Sequence, residues 1–314
     1  MRVAAFKNFD GEIERISGLL AAMRGALGPV SSLLAETAQD LALPDEEKLA
    51  AEAERLKAEI PERQAVEAAT ARLVAKLAAE IGICAREFDD REMPTRFETL
   101  IGYVSGAARH RRQQARWRSP VPLNRLAELL RRADLLAGLV RQERDFLIGQ
   151  RKESEGDLVT LIDHRPEIIE KLRGEDGAAM TGLDVIGRTE PAIKVFQDFV
   201  AGLNARVGIC NILLHKLITD TENLLILYRI VADASGRGDA GLKPELFPHL
   251  VPEVERFSSG LLTLHGLDRR RHRADQAFAE RFPTEAAGEA AEADGATGRF
   301  RLPTVFGFKL IRSQ

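Results

Sequence analysis

The sequence predicts an all-α protein, an elongated bundle of long helices that pack on one another as coiled coils. Three observations favour this class. Apolar residues recur at alternating steps of three and four, aromatic residues make up only 5% of the chain, and charged residues of both signs reach 30%. A core rich in Ala and Leu but poor in aromatic rings suits close contact between helices better than a sandwich of sheets.

The clearest apolar seam follows Pro191 and predicts a central helix over about 190–234. Pro191 suits the first turn of a helix, and Gly236 lies just beyond its end. Other apolar residues, such as Phe199 and Leu213, flank the seam, so the apolar face is wider than a two-stranded coil needs. We therefore expect the inner helix of a bundle. The seam residues are Ile193, Phe196, Val200, Leu203, Val207, Cys210, Leu214, Leu217, Thr221, Leu224, Tyr228 and Val231.

A second seam near the N-terminus keeps its phase across Gly28 and Pro29, which favours one kinked helix over two short ones. It consists of Ile13, Ile16, Leu20, Met23, Leu27, Val30, Leu34, Thr37 and Leu41. A third helical region is expected over 45–90, with a break or kink at Pro61. Further helices are predicted over about 96–118, 123–152, 155–173 (interrupted near 163–166) and 253–282, and loops over 174–189 and 236–252.

Three parts of the chain are distinguished by composition. Residues 1–282 are expected to form the helical bundle, and the small, acidic residues 283–298 a flexible linker. Residues 299–314 are apolar and basic and predict a docking segment. This segment could add a strand to a partner, lie on a membrane or fold back on its own body near Val3–Phe9. Its apolar residues are Phe300, Leu302, Val305, Phe306, Phe308, Leu310 and Ile311.

Two clusters of basic residues are candidates for contact with an anionic surface. Phosphate groups on lipid or nucleic acid are attracted to such patches, and a tryptophan among arginines is typical of a membrane interface. The structural alternative is a solvated helix end with acidic partners on neighbouring helices. With a net charge of −3, nucleic acid is the less favoured partner. The first cluster contains Arg109, Arg111, Arg112, Arg116, Trp117 and Arg118, and the second contains Arg269, Arg270, Arg271 and Arg273.

No motif for catalysis, a cofactor or a metal stands out. None of the six histidines belongs to a His-x-x-x-His, His-Glu-x-x-His or Glu-x-x-His pattern. His215 lies beside the long seam, but it lacks the small-residue context of a phosphoryl-accepting histidine. Cys84 and Cys210 are each surrounded by apolar helical residues, which predicts buried small hydrophobes. We expect a protein that is not an enzyme and holds no cofactor.

The favoured function is therefore a non-catalytic scaffold or assembly protein that acts through protein–protein contacts and self-associates. The alternative is a membrane-active helical protein, either a pore former or a peripheral remodelling factor. The N-terminus lacks the apolar core of a signal peptide, and no run approaches about 18 uncharged apolar residues. A cytoplasmic location is expected, with leaderless secretion left open.

Overall fold

The computed structural model describes residues 8–92, 95–117, 120–175, 182–234, 247–252 and 264–294. Within these ranges it contains ten helices and no strand, so the predicted all-α multi-helix class is confirmed. The helices are α1 (Phe9–Asp40), α2 (Glu46–Ala58), α3 (Ile60–Glu92), α4 (Arg96–Val104), α5 (Gly106–Trp117), α6 (Pro120–Asp163), α7 (Arg165–Glu175), α8 (Gly182–Ala234), α9 (Leu264–Arg281) and α10 (Pro283–Asp294).

The contacts within the chain define two compact units where we expected a single bundle over 1–282. Unit 1 comprises Met1–Ala71 and Leu139–Leu214, and unit 2 comprises Arg72–Gly138 and His215–Gln314. Three helices, α3, α6 and α8, contribute residues to both units. The heptad spacing continues unchanged along such a helix. The sequence therefore does not indicate the residue at which one unit ends and the other begins.

Unit 1 is built around the first part of α8. Phe196 and Leu203 are fully buried there, together with Ile16 and Leu34 of α1. The second seam lies in one continuous helix that passes through Pro29, as its phase predicted. At Pro61 the predicted break is also found, because α2 ends at Ala58 and α3 begins at Ile60.

Unit 2 buries the second part of the same seam. Leu217, Leu224 and Tyr228 of α8 are buried, and so are Leu77 of α3 and Leu126 of α6. The seam prediction is therefore confirmed wherever its side chains are described, except that Ile193 is only half-buried. Its one polar member, Thr221, is buried and donates its hydroxyl proton to the Leu217 carbonyl at 2.7 Å.

Helix α8 begins before the residue at which we expected it. The loop predicted over 174–189 is wrong from Gly182 onward, since α8 starts there and contains Pro191. A proline inside a helix removes one backbone hydrogen bond. Thr189 and Ala192, on either side of Pro191, are both buried, so the helix is packed against the rest of the unit at this point.

The acidic segment predicted as a flexible linker is also helical where it is described. Residues Pro283–Asp294 form α10, and residues 295–298 lie outside the described part of the chain. Pro283 occupies the first helical position and Glu285 the first turn, and the remainder is rich in alanine and glutamate, which are good helix formers. Low complexity was therefore a poor guide here, because the same composition that suits a linker also suits a helix.

The remaining helix boundaries differ from expectation in two places. The helix predicted over 96–118 is two helices that meet at Ser105, and α6 continues without a break to Asp163. The interruption predicted near 163–166 is confirmed at His164. Of the final helix predicted over 253–282, the structure describes Leu264–Arg281.

The two cysteines are buried, as predicted, and they belong to different units. Cys84 of α3 lies in unit 2 and Cys210 of α8 lies in unit 1. Burial raises the pKa of the Cys210 thiol to about 12, and the negative charge of Glu143 acts in the same direction. This thiol is therefore uncharged and unreactive in the folded protein at neutral pH.

Helix α1 is long and apolar enough to cross a membrane by length and composition. Its most apolar 18-residue window has a mean hydropathy of 1.3, and no other helix in the described ranges reaches the same criterion. Core helices of globular proteins meet this criterion as well, but they are mostly buried, whereas only 22% of this window is buried. In unit 1, the buried face of α1 carries Ile16, Leu20 and Leu27.

Candidate functional site

A helical hairpin formed by α4 and α5 in unit 2 contains most of the first basic cluster. A capping box starts α4: the Glu98 amide donates to the Thr95 hydroxyl at 3.2 Å, and the Thr95 amide donates to the Glu98 carboxylate at 2.9 Å. Ser105 ends α4, and its hydroxyl accepts from the Ala108 amide to start α5. Where the helices approach, a Cβ on Gly102 would lie 2.9 Å from the Arg109 side chain, so glycine permits the close contact.

The outer surface of α4 is apolar and open to solvent. Phe97, Leu100 and Val104 recur at steps of three and four, which places them on one face of the helix. Tyr103 lies beside this face and is 86% exposed, and Val104 is 89% exposed. Most large apolar side chains described elsewhere in the chain are buried, so a contiguous exposed group of four marks a contact surface.

The neighbouring surface of α5 is positively charged. Arg109, Arg111 and Arg112 are exposed, and the Arg112 guanidinium lies over the Phe97 ring, 4.6 Å from its centroid. Arg109 and Arg111 form no ion pair with any described residue. The sequence of α5 contains no acidic residue, and the single acid of α4, Glu98, is buried in the capping box. The hairpin therefore exposes apolar and cationic side chains together, without a neutralising carboxylate of its own.

Other members of the predicted anionic-surface sites are only partly described. Arg116 and Trp117 are the last residues of α5, whereas Arg118 lies outside the described residues. The C-terminal docking segment, including Phe300, Leu302, Val305, Phe306, Phe308, Leu310 and Ile311, lies outside them as well.

The second basic cluster is divided by the structure between two environments. On α9, Arg270 forms an ion pair with Glu222 at 3.6 Å, and Arg271 forms one with Asp220 at 3.7 Å. These two arginines have the acidic partners that the structural alternative expected. Arg269 and Arg273 remain exposed.

A cleft in unit 1 was not foreseen from the sequence. Its volume is about 650 Å³, and its walls come from α1, the α2–α3 junction and the first part of α8. Apolar side chains such as Leu19, Leu56 and Phe199 make up most of the lining. This volume and this composition are typical of pockets for small molecules.

Charged side chains meet beside the cleft, deep in unit 1. The Glu143 carboxylate accepts hydrogen bonds from Arg24 Nε at 2.7 Å and from Arg206 Nη2 at 2.9 Å. Arg206 and Glu143 are both buried, 7% and 5% exposed. Burial lowers the pKa of Arg206, and the nearby positive charge of Arg63 lowers it further, against the opposing effect of Glu143.

A second buried charge cluster lies in unit 2 around Lys216 of α8. Its ammonium group lies 2.6 Å from an Asp275 oxygen, 3.0 Å from Glu289 and 3.1 Å from Asp220. The side chains of Lys216 and Asp220 are almost inaccessible. Residues of α9 and α10 are thus held against α8 through one lysine.

The structure brings together few groups of the kind that carry catalysis. Within the described ranges, no three His, Cys, Asp or Glu side chains are arranged to hold a metal ion. His164 Nδ1 lies 3.2 Å from Glu167, and the His249 ring lies against Gly138. The first contact lies within unit 1 and the second within unit 2, and each suits a structural role.

Comparison with protein-family models, curated proteins and solved structures finds no match to this chain.

Proposed function

We propose that this protein acts by binding and not by catalysis, and that the α4–α5 hairpin attaches it to an anionic membrane surface. The observation that supports this proposal is the exposed apolar face of α4 beside the unpaired arginines of α5. Peripheral membrane segments combine these same two features, with apolar side chains that enter the headgroup region and basic side chains that bind anionic lipid.

The composition of the hairpin favours a lipid surface over the other anionic partners. Nucleic acid requires cations but gains little from exposed aliphatic residues such as Leu100 and Val104. An acidic protein surface would neutralise Arg109 and Arg111 in the same way, yet a bilayer also accommodates Tyr103 at its interface. Anionic lipid is characteristic of the cytoplasmic leaflet, which agrees with the location expected from the sequence.

The charge part of the proposal is tested by a double substitution, Arg109→Gln with Arg111→Gln. Each arginine near an anionic leaflet is worth about 1 kcal/mol, so the pair should weaken binding roughly thirtyfold. Flotation with phosphatidylcholine vesicles, with and without phosphatidylserine, measures the effect. The wild-type chain should float only when phosphatidylserine is present. Leu100→Ser with Val104→Ser should reduce flotation as well, without loss of charge.

The second basic cluster provides the matched control. Arg269→Gln with Arg273→Gln removes the same charge from exposed positions of α9 and should leave flotation nearly unchanged. Because Trp117 is the sole tryptophan, its emission reports directly on the end of α5, and we expect a blue shift with anionic vesicles. Equal flotation of both double variants, or no flotation of the wild type, would contradict the proposal. Tighter binding to RNA than to vesicles would identify a nucleic-acid site instead.

A second candidate function is the scaffold expected from the heptads, which self-associates through α6. The long seam is buried inside the units, so it does not supply this surface. Ile148, Val159 and Ile162 do lie on one face of α6 in unit 1, exposed to solvent. Val159→Asp with Ile162→Asp should convert an oligomer to a monomer in light scattering. A wild type that is strictly monomeric at high micromolar concentration would contradict this candidate.

A further inference from the structure

The cleft in unit 1 has dimensions that suit one extended apolar chain. Its α8 wall runs from Pro191 to Arg206, which at 1.5 Å per residue is about 22 Å of helix. One acyl chain spans half of the hydrocarbon thickness of a bilayer, or about 15 Å. A chain of that length therefore fits along α8, between α1 and the α2–α3 junction.

The two arginines at the Arg206 end of the cleft still have donors to offer. Arg206 uses Nη2 for Glu143 and makes no other side-chain hydrogen bond with the described residues. Arg63 Nε is inaccessible and makes no hydrogen bond with the described residues, and the Glu67 carboxylate lies 3.6 Å from it. The Arg206 side chain is buried and that of Arg63 is 27% exposed, and their unused N–H groups favour an anion that can accept from them.

The other charged residues of the lining, Lys57 and Lys194 against Glu59, Glu62 and Asp198, do not themselves favour an anion. Burial raises the pKa of Glu59. The preference comes from the Arg206 end, where three guanidinium groups share two carboxylates. Arg24 and Arg206 bind Glu143, and Arg63 lies beside Glu67, so one positive charge remains unmatched among these five side chains.

We propose that this cleft binds a single-chain anionic amphiphile, with its chain along α8 and its head group on Arg63 and Arg206. The ligand class includes long-chain carboxylates and lysophospholipids with an anionic head, since both present the same chemistry. This site lies in unit 1 and is independent of the hairpin in unit 2.

Two glycines of α8 allow a sharp test. Gly202 lines the cleft, and a Cβ added there meets no atom within 4 Å, so Gly202→Leu places a side chain in the space meant for the ligand. Gly208 lies on the same helix outside the cleft, is exposed and also has open space. Gly208→Leu is therefore the matched control, and both changes raise helix propensity.

Binding is measured by the fluorescence of cis-parinaric acid, a fatty acid probe, and by its displacement. We expect micromolar binding to the wild type, about tenfold or weaker binding to Gly202→Leu, and wild-type affinity for Gly208→Leu. If Gly202→Leu lowers the melting temperature, Ala22→Phe blocks the cleft from the α1 wall, with Ala21→Phe as its control. Loss of binding should follow Ala22→Phe alone.

The head-group assignment is tested with Arg63→Met and three competitors. Oleate and lysophosphatidic acid should displace the probe from the wild type, and monoolein should do so far more weakly. Arg63→Met should remove most of the preference for the two anions. Displacement by oleate alone would identify a free carboxylate as the ligand, and displacement by lysophosphatidic acid alone would identify a phosphorylated lipid.

Three outcomes would overturn the inference. They are the absence of probe binding at micromolar concentration, equal binding to the Gly202 and Gly208 variants, and equal competition by monoolein and oleate. The Arg109→Gln and Arg111→Gln variant should bind the probe as the wild type does. Failure of the hairpin proposal and failure of this one are thus distinguishable.

Discussion

Replacement of Glu143 by methionine is expected to destabilise unit 1 by about 3–5 kcal/mol. Glu143 neutralises Arg206, which is buried and stays charged at any pH the fold survives. Without the carboxylate, the guanidinium keeps its charge but loses its partner, and the apolar surroundings cannot solvate it. Arg24, which also binds Glu143, is more exposed and can turn toward water.

Urea unfolding measures this loss, and a double variant separates charge from packing. Glu143→Met with Arg206→Met removes both buried charges and should recover most of the lost stability. Glu128 on the same helix is the control. Its carboxylate is 43% exposed where it pairs with Arg131 and Arg132, so its removal should cost less than about 1 kcal/mol. Equal effects of Glu143→Met and Glu128→Gln would show that the buried pair is not needed.

Replacement of Lys216 by methionine is the second large expected effect, about 3–5 kcal/mol for unit 2 near pH 7. Methionine keeps most of the apolar stem but removes the charged ammonium group, which lies 5.9 Å from the Phe278 ring centroid. Among the described residues, Asp220 then remains buried with Arg271, at 3.7 Å, as its cationic neighbour. In the wild type the Lys216 ammonium lies 3.1 Å from its carboxylate, closer than Arg271, so the buried acid depends on the charge of Lys216.

The pH dependence of this loss has a definite sign. Burial raises the pKa of Asp220 and of Glu289, while Lys216 opposes that rise in both. Removal of Lys216 should raise both pKa values further. An acid whose pKa is raised in the folded state destabilises the fold as pH rises from its unfolded-state pKa to its folded-state pKa, and the penalty disappears on acidification below both. The deficit of the variant should therefore be largest near pH 7 and shrink toward about pH 5.

This second prediction is checked by unfolding both proteins across that pH range and comparing their difference at each pH. Lys48→Met, which removes an exposed lysine near Asp45, should give a difference close to zero throughout. A deficit that stayed constant from pH 7 to about pH 5 would mean that lost packing, not stranded carboxylates, causes the loss.

Much of the fold could be predicted because apolar periodicity reports directly on burial. The seam from Phe196 to Tyr228 and the continuity of α1 across Pro29 are both found as the spacing indicated. Boundaries were harder wherever one residue type permits two outcomes. Pro191 can begin a helix or lie within one, and the alanine-rich 283–294 segment suits either a linker or a helix until Glu289 meets Lys216.

The candidate sites also have some features that the sequence indicated and others that only the structure shows. The basic composition of 109–112 was visible in the sequence, but the exposed apolar face of α4 was not, since Phe97, Leu100 and Val104 follow the same spacing as a buried seam. Only the tertiary structure shows that nothing described covers them. The cleft and the Lys216 cluster depend on contacts between residues far apart in sequence, such as Lys216 and Glu289, and no local pattern encodes them.

The position of one buried cysteine in each unit allows the local unfolding of each unit to be measured separately. Because one thiol is buried in each unit, a thiol reagent modifies Cys210 only when unit 1 opens and Cys84 only when unit 2 opens. Mass spectrometry of the two cysteine-containing peptides would therefore follow two local unfolding equilibria in a single sample. The natural sequence is therefore sufficient to determine which unit has the lower free energy of local unfolding.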